Sequence, residues 1–268
     1  MNKVIGFIGS GNMGGAMLGG IVRSKFTEKE NIWVSDKNEA QLNKVEEMYG
    51  VHTTKDNCEV AKYADIIILA VKPNIYDIVM KEISSVVKDN AVVITIAAGI
   101  TMKHTKDVFG KEIKVVRCMP NTPAFVNESM SAIVPDITLS DEEVKEIKEM
   151  FESFGKCEIV SESMMDAVTA VSGSSPAYVF MMIEAMADAA VLEGMPRNQA
   201  YTFAAQAVLG SAKMALESKK HPGELKDMVC SPAGTTIDAV QKLEEKGFRS
   251  AIIEAMQVCA EKSKKMTK

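Results

Sequence analysis

Three glycines carry the first chemical signal in this 268-residue chain. Gly9, Gly11 and Gly14 stand in G-x-G-x-x-G spacing, directly after the apolar run 4–8 and directly before a helically periodic segment. In that context the first glycine permits a tight turn, the second lets backbone approach a pyrophosphate, and the third lets helix and strand pack closely. Free N–H groups and the positive end of the helix then point at the phosphates. Asp36 lies 22 residues beyond Gly14, at the end of the next β-branched run. An acid there accepts from a ribose 2′-OH and repels a 2′-phosphate, favouring NAD. Ser35, Lys37 and Asn38 argue the other way, since they can hydrogen-bond or neutralise a 2′-phosphate. The residue types leave the choice open. The competing reading, in which the glycines only shape a structural turn, places no ligand here.

Two further segments fall where a parallel sheet presents its ligands. Ala70-Val71-Lys72-Pro73 follows the run 65–69, and Ala97-Ala98-Gly99 follows the run 91–96. Both lie at the carboxyl edge of a strand, where α/β sheets bind cofactors. Small side chains at the second segment would admit a nicotinamide ring. The alternative for both is an ordinary strand-ending turn.

The elements that position these residues alternate. Strands are expected near 3–8, 31–35, 66–71, 91–97, 113–118, 129–134 and 157–160, and helices over 12–24, 37–48, 74–86 and 140–153. This is the pattern of βαβ units and a parallel sheet. Ser140 with Glu143 three residues on forms a capping box, and Gly155 would close that helix. Beyond Val160 the β-branched runs vanish. The chain becomes Ala-, Met-, Glu- and Lys-rich, with helices expected over 176–193, 197–218 and 249–265. The fold class is therefore α/β: an N-terminal Rossmann-type parallel-sheet domain, residues 1–160, followed by an all-α domain, residues 161–268. The apolar faces of the second domain, among them Met181, Met182 and Met186, need burial on more than one side, which a second copy of the chain would supply.

Composition narrows the function classes. Lys plus Arg is 31 against 36 acidic residues, a net charge of −5, which gives no reason to expect nucleic acid or anionic lipid. The tail Lys262-Ser263-Lys264-Lys265 reads as a frayed, solvated helix end. Five well-separated cysteines without a CxxC pair read as reduced thiols in a cytoplasmic protein. Three unclustered histidines offer a metal little to bind to. No signal peptide is expected at the start of the chain. Acidic residues such as Glu184 and Asp188 break the longest apolar stretch, so no membrane span is expected.

Five motifs in order make the reading specific. Gly9-Ser10-Gly11-Asn12-Met13, Ala70-Val71-Lys72-Pro73, Met119-Pro120-Asn121-Thr122-Pro123, Val171-Ser172-Gly173-Ser174-Ser175-Pro176-Ala177-Tyr178 and Ser231-Pro232-Ala233-Gly234-Thr235-Thr236 together resemble pyrroline-5-carboxylate reductase, over almost the whole chain. Two positions depart from the family pattern, Ser175 and Ala233, each where the family usually has Gly. The resemblance implies reduction of the cyclic imine carboxylate 1-pyrroline-5-carboxylate to L-proline, with NADP(H) preferred and NAD(H) possible. It also implies a homodimer or higher homo-oligomer built through the C-terminal helices.

The resemblance further implies site residues. Cofactor contacts fall on Ile8, Gly9, Ser10, Gly11, Asn12, Met13, Ser35, Asp36, Lys37, Asn57, Ala70, Val71, Lys72, Pro73 and Ala98. Asn57 matches the ribose position, with a helix N-cap as its bland alternative. Substrate contacts fall on Glu162, Ser231, Ala233, Gly234, Thr235 and Thr236. The hydroxyl of Thr236 is implied to reach the ring nitrogen, against an ordinary helix-start role. Glu162 is implied to stabilise the iminium by charge, against a role as a solvated helix acid. No side-chain role is assigned to Asn121 or Thr122.

Three other functions compete with this one. A β-hydroxyacid dehydrogenase relative needs a lysine on the first interdomain helix, and residues 168–190 contain no Lys, Arg or His. A reductase of another cyclic imine keeps every motif. A dinucleotide sensor would need no second, carboxylate-binding site.

Overall fold

The computed structural model describes residues 3–267. Eight strands form one sheet: β1 (Ile5–Ile8), β2 (Ile32–Ser35), β3 (His52–Thr54), β4 (Ile66–Leu69), β5 (Val92–Thr95), β6 (Lys114–Met119), β7 (Ser129–Pro135) and β8 (Gly155–Ile159). Their spatial order is β3-β2-β1-β4-β5-β6-β7-β8. The first six run parallel, β7 is antiparallel to β6, and β8 is parallel to β7. The sheet is mostly parallel, as the alternation predicts, and its one reversal has a simple cause. Only residues 120–128 join β6 to β7, fewer than the dozen or so that a parallel crossover requires.

The central strands β1, β4 and β5 read as near-continuous apolar runs because helices cover both faces. Along β4, Ile66 and Ile68 join one buried cluster while Ile67 and Leu69 join the other. Helices α1 (Asn12–Arg23), α2 (Glu39–Tyr49) and α6 (Asp141–Glu152) contribute to the first cluster, and α3 (Asn57–Tyr63), α4 (Tyr76–Ile83) and α5 (Met102–Phe109) to the second. Each large aliphatic side chain so enclosed contributes about 1.5–3 kcal/mol. The capping box of Ser140 and Glu143 is present. Gly155, expected to close that helix, instead opens β8 opposite Ser129, and Ser153 is the C-cap.

Contacts divide the chain into two compact units, one running to Ser174 and resuming at Cys259, the other Ser175–Val258. A boundary at residue 160 marks where the strands end. The contact boundary lies later because α7 (Met165–Val168) and the π-turn Thr169–Gly173 keep buried side chains, Met165, Thr169 and Ala170, within the first unit. The second unit holds α8 (Ser175–Leu192), α9 (Arg197–Ser218), α10 (Pro222–Val229), α11 (Thr235–Glu245) and the first part of α12 (Phe248–Met266). Its own buried cluster is small, Ala187, Ala200 and Ala204, while Phe180, Phe203 and Leu192 are exposed.

The C-terminal tail is solvated at Lys262, Lys264 and Lys265 as expected, but it is not frayed: α12 continues to Met266, and buried Ser263 donates to Asp166 Oδ1 at 2.6 Å. The helical stretch Glu162–Leu192 passes a length-and-composition test for a membrane span, which the core helices of globular proteins also pass, and Glu184 and Asp188 lie within it.

Candidate active site

The site begins where β1 hands over to α1. Gly9 has φ +97°, a left-handed backbone that L side chains rarely adopt, and its N–H donates to Ser35 C=O at 2.7 Å. A Cβ on Gly14 would stand 2.5 Å from Gly9 C=O, so only glycine lets the helix pack this close. At Gly11 a Cβ would meet nothing within 4 Å, because the position opens on a cleft. Helix α1 starts there with no side-chain cap and no acid in its first turn. Its unpaired N–H groups and positive end therefore face open space, an arrangement that fits a pyrophosphate.

The sheet order reverses between β1 and β4, which puts the cleft at the topological switch point. The cleft measures about 400 Å³. Nine residues expected at the cofactor line it: Gly9, Gly11, Ser35, Asp36, Lys37, Asn57, Ala70, Val71 and Lys72. The others lie elsewhere. Ile8 is buried in the core, Met13 packs against the first cluster, Ala98 against Met119 and Met165, Asn12 lines a neighbouring depression, and Pro73 begins the 3-10 turn Pro73–Ile75. Ser10 is buried, and its N–H and hydroxyl donate to Asp36 Oδ2 at 2.8 and 2.9 Å. Asp36 Oδ1 accepts from Asn38 N–H at 3.0 Å. The acid thus braces the glycine loop against β2.

Asn57 is buried, with Oδ1 accepting from Ser35 Oγ at 2.8 Å and Nδ2 donating to Glu82 Oε2 at 2.7 Å. It is the first residue of α3, and Asp56 is the cap, accepting from Cys58 N–H at 2.9 Å. Four cleft residues were not foreseen: Ile75, Ile78, Val79 and Glu82. They recur at i, i+3, i+4 and i+7, one face of the helix that follows β4, and that spacing was the available signal.

Tyr76 organises the carboxyl edge. Its hydroxyl donates to Leu69 C=O and accepts from Ile96 N–H at 3.1 Å, joining the ends of β4 and β5. Complete burial raises its pKa above the ordinary phenol value, so it stays a donor.

Glu162 belongs to the first unit, in the 3-10 turn Glu162–Met164. Its Oε1 accepts from buried Arg117 at 3.2 Å and from Met102 N–H at 3.1 Å. Asn121 gains a role that the sequence did not assign. Its Oδ1 accepts from Met130 N–H at 2.9 Å and Ser129 Oγ at 3.1 Å, while Nδ2 donates to Ser172 C=O in the π-turn at 3.0 Å. In the second unit, Gly234 caps α11 and Thr236 is its second residue, half-buried. Among the described residues the Thr236 hydroxyl makes no hydrogen bond, so it is not a helix cap.

Comparison with known proteins decides the family. Residues 162–266 match the pyrroline-5-carboxylate reductase dimerisation family, and residues 4–99 match the coenzyme F420-dependent NADP oxidoreductase family. The pyrroline-5-carboxylate reductase of Escherichia coli is 52% identical over 268 residues, all of both chains. The chain belongs to the pyrroline-5-carboxylate reductase family. Among solved members, that of Coxiella burnetii superposes with a TM-score of 0.91 at 32% identity over the full length of both chains. That of Plasmodium falciparum, solved with NADP bound, superposes at 0.90 and 31% identity over 100% of this chain and 99% of that one. The two departures from the family pattern can now be located. Ser175 begins α8, whereas Ala233 sits at φ +56°, in the left-handed region where the family's usual glycine is at ease.

Proposed function

We propose that this chain reduces the C=N bond of 1-pyrroline-5-carboxylate to L-proline, with NADPH as the preferred donor and NADH accepted. The observation that carries this reading is the switch-point cleft. An uncapped helix start and a glycine loop meet Ser35, Asp36, Lys37 and Asn57 there, a set suited to a phosphorylated adenosine ribose. The nicotinamide supplies the hydride to the imine carbon.

The chain's own residues bind and orient. The small-residue turn Ser231 to Thr235 offers N–H donors to the substrate carboxylate at the start of α11, where Asp238 is the acid in the first turn. The free hydroxyl of Thr236 hydrogen-bonds the ring nitrogen: that nitrogen takes its proton from water, and the hydroxyl accepts from the resulting iminium N–H while the hydride reaches the carbon. Glu162 is the acid assigned to stabilise the iminium by charge, and Arg117 is paired with its Oε1. The second unit assembles with a second copy through its exposed apolar helices, and five free thiols accord with the cytoplasm.

Adding 1-pyrroline-5-carboxylate to the protein with NADPH should lower the NADPH absorbance and yield proline. Folded protein that leaves both NADPH and NADH unoxidised overturns the proposal. Sedimentation should find no 29.1 kDa monomer at micromolar concentration.

A further inference from the structure

Glu82 is a charged cleft residue that the family resemblance does not place at the cofactor. It lies near the end of α4, and Oε1 stands 3.7 Å from Lys37 Nζ. Lys37 also donates to Lys55 C=O at 3.3 Å. The ammonium thus lies between the Lys55 carbonyl and the Glu82 carboxylate of α4, and part of its charge is answered before any ligand arrives. Asp36 does not take this place, because both of its oxygens already accept from Ser10 and Asn38.

We infer that Glu82 sets discrimination between 2′-phosphorylated and 2′-hydroxyl dinucleotides by competing with the 2′-phosphate for Lys37. This inference rests on the dinucleotide reading of the cleft. A dianionic phosphate entering beside Lys37 must displace a carboxylate from the ammonium and then bear its repulsion; a ribose hydroxyl meets neither obstacle. The pair is exposed, with 70% and 34% of the two side chains accessible, so the effect is severalfold rather than many orders of magnitude.

The test is calorimetric binding of 2′,5′-ADP and 5′-ADP, which needs no turnover. Glu82→Gln removes the charge and keeps an amide oxygen for Asn57. It should bind 2′,5′-ADP about two- to fivefold tighter, with 5′-ADP changed less than about 1.5-fold. In a Lys37→Ala background the same substitution should have almost no effect. An unchanged preference, an equal shift for both nucleotides, or an effect that persists without Lys37 overturns the inference while the dinucleotide site stands. Wild-type protein that binds neither nucleotide overturns the dinucleotide reading and this inference with it.

Discussion

Replacing Thr236 by Val exchanges a hydroxyl for a methyl of similar size at the second position of α11. Gly234 is the cap, and the hydroxyl has no partner among the described residues, so the folded chain loses no hydrogen bond. The stability change should therefore stay within about 0.5 kcal/mol; loss of a helix cap would cost about 0.5–2 kcal/mol. Catalysis should respond differently. A hydrogen bond to a charged or partly charged nitrogen contributes roughly 1.5–3 kcal/mol, so kcat/KM for the imine should fall about 10- to 150-fold. Affinity for NADPH should not move, because the cleft residues belong to the other unit. Initial rates of NADPH oxidation, a nucleotide titration and a thermal melt read the three quantities separately. Full efficiency together with a lowered Tm would refute the assignment and leave Thr236 a packing residue.

Ala233→Gly should raise stability. Left-handed backbone costs alanine about 1–2 kcal/mol, and the added freedom of the unfolded chain returns about 0.4–1 kcal/mol, so a small rise in Tm is expected and a fall would contradict the φ of +56°. Burial alone would raise the pKa of Asp65, but Lys88 at 2.7 Å and Val4 N–H at 2.9 Å outweigh it and hold the carboxyl below its ordinary range. Its contribution is complete above the unfolded pKa of about 3.9 and is lost as pH falls through the lower folded value. Urea melts across acidic pH should therefore show the gap between wild type and Asp65→Asn closing as the pH drops, and a gap that widens would reverse the sign. Burial pushes the Cys157 thiol up to about 12 and Cys118 well above its usual value. Both should resist a thiol reagent at mildly alkaline pH until denaturant is added. Modification in the native protein at the rate of an exposed thiol would show that these strands open.

Much of this protein is written in short-range pattern. The glycine spacing, the apolar runs of β1 and β4 and the Ser140–Glu143 box each depend on residues within one turn or one strand, so composition and period determine them. The motif set that marks the family is local in the same sense. The reversal at β7 was also legible, in the shortness of residues 120–128, but β3 was not: three half-polar residues, His52-Thr53-Thr54, become a strand only because β2 offers them an edge. Which way a polar side chain turns is decided by partners distant in sequence. Asp36, expected to face a ribose, is drawn to the loop by Ser10, 26 residues away, and Glu162 is held by Arg117, 45 residues away. Glu82 enters the cleft because α4 packs its buried face on β4, leaving its other face toward Asn57 and Lys37. In the basic tail the lysines stay in solvent as composition assigns them, while Ser263 turns inward because it finds Asp166, 97 residues away. Local sequence determines which elements form and which motifs they carry. Burial and hydrogen-bond pairing across the fold decide where each charge points, because an unpaired polar group taken out of water must find whichever partner the packing brings within reach.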